Sequence, residues 1–115
     1  MKNEYLDEVT ELLKQTSPKL AVRYRLEFKH SFGAIAGYVN GQIFISYGKF
    51  GVALKLPSEI LTVLFKDKVI VHLKYFQKGY VKKEYAVLSK QIIEDQHRFK
   101  ELLDKSIKYV LSKNS

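Results

Sequence analysis

Residues 74–85 read Lys-Tyr-Phe-Gln-Lys-Gly-Tyr-Val-Lys-Lys-Glu-Tyr, cations interleaved with aromatic rings. Lys74, Lys78, Lys82 and Lys83 would neutralise phosphates, and Tyr80 would stack on a base, as in proteins that hold single-stranded nucleic acid. The same composition suits a β-hairpin whose tyrosines pack on neighbours while its lysines keep an edge strand in solution. The second account is preferred, because no RNP-type or helix-turn-helix pattern accompanies the segment. These five residues are the candidate anion or nucleic-acid patch.

Other chemistry is sparser. His97, Glu101 and Asp104 recur at i, i+4 and i+7, a spacing from which a helix can present metal ligands. The row lies away from the apolar Phe99, Leu103 and Ile107 and keeps company with Glu94, Lys100 and Lys108, so a solvated charged face is expected instead. There is no H-E-x-x-H, and His72 stands beside Lys74 on an expected strand. Gly33, Gly37, Gly41, Gly48 and Gly51 match neither G-x-G-x-x-G nor the phosphate-loop pattern. Turn geometry accounts for Gly41, Gly48 and Gly51, while Gly33 and Gly37, four apart on one strand face, suggest close packing or a bulge. No serine sits in G-x-S-x-G, and the Glu94-Asp95 carboxylates belong to a helix start. With no cysteine there is no thiolate nucleophile or Cys-based metal site. The expectation is no catalytic residue, no cofactor and no metal: a protein that is not an enzyme.

The chain of 115 residues is long enough for one domain with a real core, and 46% apolar with 28% charged residues is ordinary for a soluble globular protein. The net charge is +8, and residues 66–90 carry +5 of it: seven lysines against Asp67 and Glu84. A local basic excess is what would attract an anionic partner. Residues 31–48 are 18 positions without a formal charge, near the length of a membrane span. Gly33, Gly37, Asn40, Gly41 and Gln42 interrupt them and leave two short apolar runs, so no membrane is expected. The N-terminus carries acidic residues where a signal peptide would be apolar, and a cytoplasmic protein is expected.

Elements follow from periodicity. Asn3 can cap a first helix whose Tyr5, Leu6, Val9, Leu12 and Leu13 form one apolar stripe, stopped by Ser17-Pro18. Residues 20–28 alternate and predict a half-buried strand or extended lead-in. Residues 34–39 and 42–47 flank Asn40-Gly41, the strongest short hairpin signal, since both turn positions need φ > 0. A second turn at 48–51 leads to a strand over 52–56, then a short helix from Glu59 to about Lys66. Strands are expected over 68–76 and 80–88. Ser89 then caps a closing helical region with the stripe Phe99, Leu102, Leu103, Ser106, Ile107, Val110 and Leu111, where small Ser106 would let the helix approach the sheet.

Three stretches resemble the TfoX (Sxy) N-terminal-domain family. Phe32-Gly33 followed by Gly37-Tyr38-Val39-Asn40-Gly41-Gln42-Ile43-Phe44 is similar to its Phe-Gly-rich hairpin, with Ser31 for the family's methionine and Ala34 for its second glycine. Val52-Ala53-Leu54-Lys55-Leu56-Pro57 resembles its Leu-x-Leu-Lys strand. Residues 79–88 resemble its later Lys-x-Tyr strand, and residues 105–110 its closing helix. The resemblance implies an α+β, secretion-chaperone-like fold in which helices pack on an antiparallel sheet, in the order α-β(3-4)-α-β(2)-α. Residues 1–115 would form a single domain of this type, with no C-terminal second domain. It implies a small non-enzymatic regulatory or adaptor domain, acting by protein–protein contact in transcription or DNA-competence regulation. Its partners would be unidentified proteins and a second copy of itself in a homodimer. The alternative is an accessory nucleic-acid-binding protein that uses the Lys/Tyr-rich strand pair of residues 74–85.

Overall fold

The computed structural model describes residues 4–31, 33–66, 70–74 and 81–112. Helix α1 (Glu4–Thr16) places Glu4 and Asp7 in its first turn, where negative charge suits the helix dipole, and buries Val9 and Leu13. Asn3, its expected cap, lies outside the described residues. The helix ends before Pro18, with Ser17 N–H donating to the Leu13 carbonyl at 2.8 Å.

The next segment corrects an expectation. Leu20–Arg23 forms a single helical turn, α2, and strand β1 (Leu26–Ser31) begins only after it. A half-buried strand would cover Val22 together with Leu20, but Val22 is 86% exposed while Leu20 is buried. The N–H groups of Leu20 and Arg23 donate to the Ser17 and Lys19 carbonyls, each at 3.0 Å. The corner after the proline thus satisfies its backbone locally and needs no partner strand.

From β1 the chain meanders through β2 (Ala34–Val39), β3 (Gln42–Gly48) and β4 (Gly51–Lys55). Helix α3 (Ser58–Lys66) leads to β5 (Ile70–Lys74), and β6 (Val81–Leu88) returns between β5 and β4. The result is a six-stranded sheet of order β1-β2-β3-β4-β6-β5, antiparallel at every pairing. The fold class is therefore α+β, an antiparallel sheet with helices packed on it. The expected outer ends of the last two strands, residues 68, 69, 75, 76 and 80, lie outside the described residues.

The closing helical region is two helices, α4 (Lys90–Glu94) and α5 (Gln96–Ser112). Ser89 caps the first by accepting from Ile92 N–H at 3.3 Å. Asp95 breaks the run and caps the second by accepting from Arg98 N–H at 3.1 Å. Side chains of α1, α3, α4 and α5 join one face of the sheet in a single core with Phe44, Ile45, Leu54 and Leu56 at its centre. Ser106 is fully buried in it and donates its hydroxyl to the Phe44 carbonyl at 3.1 Å, so the small residue does bring α5 against β3. Among the described residues no helix is long and apolar enough to cross a membrane.

Two glycines are required by geometry. Asn40 and Gly41 hold φ of 49° and 84°, the type I′ pair that the dipeptide predicts. Asn40 also ties this turn to the root of β1. Its Oδ1 accepts from Arg25 N–H, and its own N–H donates to the Arg25 carbonyl, both at 2.9 Å. Between β2 and β3 the register steps from Gly37↔Ile45 to Tyr38↔Ile43, a bulge that leaves Phe44 without a partner on β2. A Cβ on Gly37 would lie 2.5 Å from Ile45 Cγ2 and 3.2 Å from the Phe28 ring, so Gly37 serves both the bulge and close packing. Gly33, by contrast, sits in the turn before β2 with φ 79° and does not share the strand face of Gly37.

Gly41→Val should cost about 1 kcal/mol or more, because a β-branched residue resists φ > 0. Gly37→Ala should cost roughly 1–3 kcal/mol by overpacking against Ile45. Urea unfolding of the two variants checks both, and a wild-type midpoint for either would contradict the corresponding geometry.

Candidate interaction edge

Strand β1 is the outermost strand on its side of the sheet. It pairs with β2 from Leu26↔Val39 to Ser31↔Ala34 and, among the described residues, with no strand on its other side. The bonds between Arg25 and Asn40 set the phase of this ladder: Arg25 turns its N–H and C=O toward β2. Continuing the antiparallel alternation, Glu27 and Lys29 do the same, and Leu26, Phe28 and His30 direct theirs to the open side. Such a row of groups is a template for one more strand.

Side chains alternate with the backbone. Leu26 and Phe28 are half-buried against the main core, whereas Glu27 and Lys29 stand exposed on the opposite face. Phe28 is therefore flanked, one residue to each side, by charges of opposite sign. Arg25 Nε approaches Glu27 Oε1 at 3.1 Å, but both side chains are largely in solvent and such a pair holds little energy. The Lys29 ammonium lies 5.0 Å from the centre of the Tyr38 ring. From Lys29 a cross-strand row continues through Ala36, Ser46, Ala53 and Val87. Among the described residues no helix residue joins the small cluster of Ala53, Tyr85, Phe50 and Val87 on this face.

The candidate basic patch lies at the opposite end of the sheet. Lys74 pairs with Val81 and Lys82 with Leu73 in the β5–β6 ladder, and Lys83 falls in its register shift. Lys78 and Tyr80 lie outside the described residues. On α5, Glu101 and Asp104 are met by lysines, at 3.4 Å from Lys105 and 3.9 Å from Lys100, and His97 is exposed beside them. This is the solvated charged face that the spacing predicts. Among the described residues no group of three His, Cys, Asp or Glu is placed to hold a metal.

Two groupings have no linear signal. The Tyr47 hydroxyl donates to the Glu8 carboxylate, 39 residues away, with the Tyr5 ring edge-on at 5.7 Å. Burial first, then the hydrogen bond and charge of Glu8, push the Tyr47 phenol from 10.0 up to about 12. Lys19 and Arg23, at the corner after α1, line a groove with Lys100 and Lys108 of α5. Compared with known proteins, the chain matches no protein-family model, and no curated protein matches it.

The raised phenol means that the fold favours neutral Tyr47. Its stabilisation is complete below pH 10 and is lost as pH rises through about 12. Tyr47→Phe should therefore be less stable than wild type by about 1 kcal/mol at pH 8, the worth of a typical hydrogen bond. The gap should close between pH 10 and 12. Urea melts across that range check this, and a gap independent of pH would contradict it.

Proposed function

We propose that the chain is a small non-enzymatic regulatory or adaptor domain that acts by protein–protein contact. Its contact is the open edge of β1, and its first partner is a second copy of the chain. The carrying observation is that β1 is complementary to itself. Antiparallel pairing with a second copy, centred on Phe28, sets Phe28 opposite Phe28, Glu27 opposite Lys29 and Lys29 opposite Glu27. Opposite charges and aromatic pairs across a ladder contribute roughly 0.2–1 kcal/mol each, and like charges there destabilise. Charged residues also guard edges against pairing, but a guard of one sign would repel a copy of itself, and this one attracts. A two-fold axis through Phe28 closes the contact as a dimer. The regulatory part of the reading, in transcription or DNA-competence control, is supported by the resemblance of residues 32–44, 52–57 and 79–88 to TfoX N-terminal domains.

Sedimentation velocity tests the edge. Wild type should sediment as a dimer at micromolar concentration, and Glu27→Lys and Lys29→Glu should each shift it to monomer. Mixing the two variants should restore a dimer, because their uniformly charged edges are of opposite sign. A wild-type monomer, or two variants that fail to recombine, would overturn the edge contact. Salt-sensitive retention of an oligonucleotide by such a monomer would favour the strand pair of residues 74–85 instead.

A further inference from the structure

The corner that turns the chain from α1 into β1 leaves a groove of about 640 Å³ against the C-terminal two-thirds of α5. That volume falls within the roughly 300–1,000 Å³ of small-molecule sites. Its lining is divided by chemistry. Leu20 and Ile107 are buried, and Tyr24 and Leu111 are half-buried, which makes an apolar floor. Lys19, Arg23, Lys100 and Lys108 stand exposed around it, and among the described residues Asp104 is the only carboxylate of the lining. Asp104 is 3.9 Å from Lys100 with both side chains more than half exposed, a weak pair. Among the described residues no carboxylate is within ion-pair distance of Lys19, Arg23 or Lys108.

Cations near helix C-termini also offset the macrodipole, which accounts for Arg23 in the last turn of α2 but not for Lys19 at its N-cap. It does not account for Lys100 in the first half of α5, or for an apolar floor beneath the cations. Excess positive charge around an apolar floor is complementary to an anion that carries an apolar body. We propose that this groove binds a small amphiphilic anion, a carboxylate or phosphate monoester on an alkyl chain or ring. Lys100 and Leu111 are roughly 16 Å apart along α5, enough to lay a medium-length chain beside the helix. The site consists of the corner and α5 and does not depend on the β1 contact, so either stands if the other fails.

Titration of the full chain with decanoate and with decyl phosphate, followed by calorimetry and amide chemical shifts, tests the site. At least one anion should bind one-to-one with Kd of about 0.1 mM or tighter. Its shifts should be centred on residues 17–24 and 100–111, and the tighter headgroup identifies the natural class. Decanol should bind at least about tenfold more weakly, and decyltrimethylammonium not at all. The double variant Arg23→Glu/Lys108→Glu should lose about tenfold in affinity, while Lys66→Glu on α3, outside the groove, should keep the wild-type value. Should the double variant unfold, the single variants Arg23→Gln and Lys108→Gln should each lose about threefold. No binding of either anion, equal binding of the ammonium, or groove variants with wild-type affinity would overturn the site.

Discussion

The centre of the molecule depends on one extra residue in β3. Phe44 has no Cα partner in the β2 or the β4 ladder, yet it and the neighbouring Ile45 are both wholly buried in the main core. A regular strand would send one of two consecutive side chains to the opposite face, and the bulge sends both toward the helices. Two adjustments follow from it. Ile45 is pressed onto β2 at a position where only a residue without Cβ fits, and that residue is Gly37. The Phe44 carbonyl, buried in the core, accepts from the Ser106 hydroxyl of α5. Bulge, glycine and serine form one arrangement that sets how closely α5 lies on the sheet.

With the described helices gathered on that side, no helix among the described residues covers the other face, and β1 and β5 are the outer strands. The edge at β1 is positioned at its N-terminal end: the α2 corner delivers the chain to it, and Asn40 clamps its root through Arg25. These backbone bonds fix which groups point outward. A partner strand added to this edge, as proposed, would cost little ordering entropy, because a hairpin turn and a ladder already hold β1. Specificity in the proposed contact would then lie in the sign and order of the two charges around Phe28.

Charge does little for stability here. Each ion pair among the described residues has at least one well-exposed partner, so the fold rests on apolar burial. The acids concentrate on α1, where Asp7, Glu8 and Glu11 line a groove of about 480 Å³ with Tyr47, while cations gather around the corner and α5.

Where backbone sterics decide, the sequence by itself determined the structure. Pro18 ended α1, Asn40-Gly41 made the type I′ turn, and Ser89 and the stripe from Phe99 to Val110 set the closing helices, because each of these acts within a few residues of chain. Even the crowding at Gly37 was legible as a glycine where a strand should have a side chain. Residues 20–23 were misread because four residues cannot distinguish alternation from one helical turn, and the backbone bonds that choose between them depend on the corner at Pro18. Strand order, the extra residue at Phe44 and its bond to Ser106, 62 positions away, belong to tertiary structure alone. So do the pairing of Glu8 with Tyr47 and the gathering of Lys19 and Arg23 with Lys100 and Lys108. Such contacts join residues with no relation along the chain, and only the packing of helices on one sheet face brings them within reach.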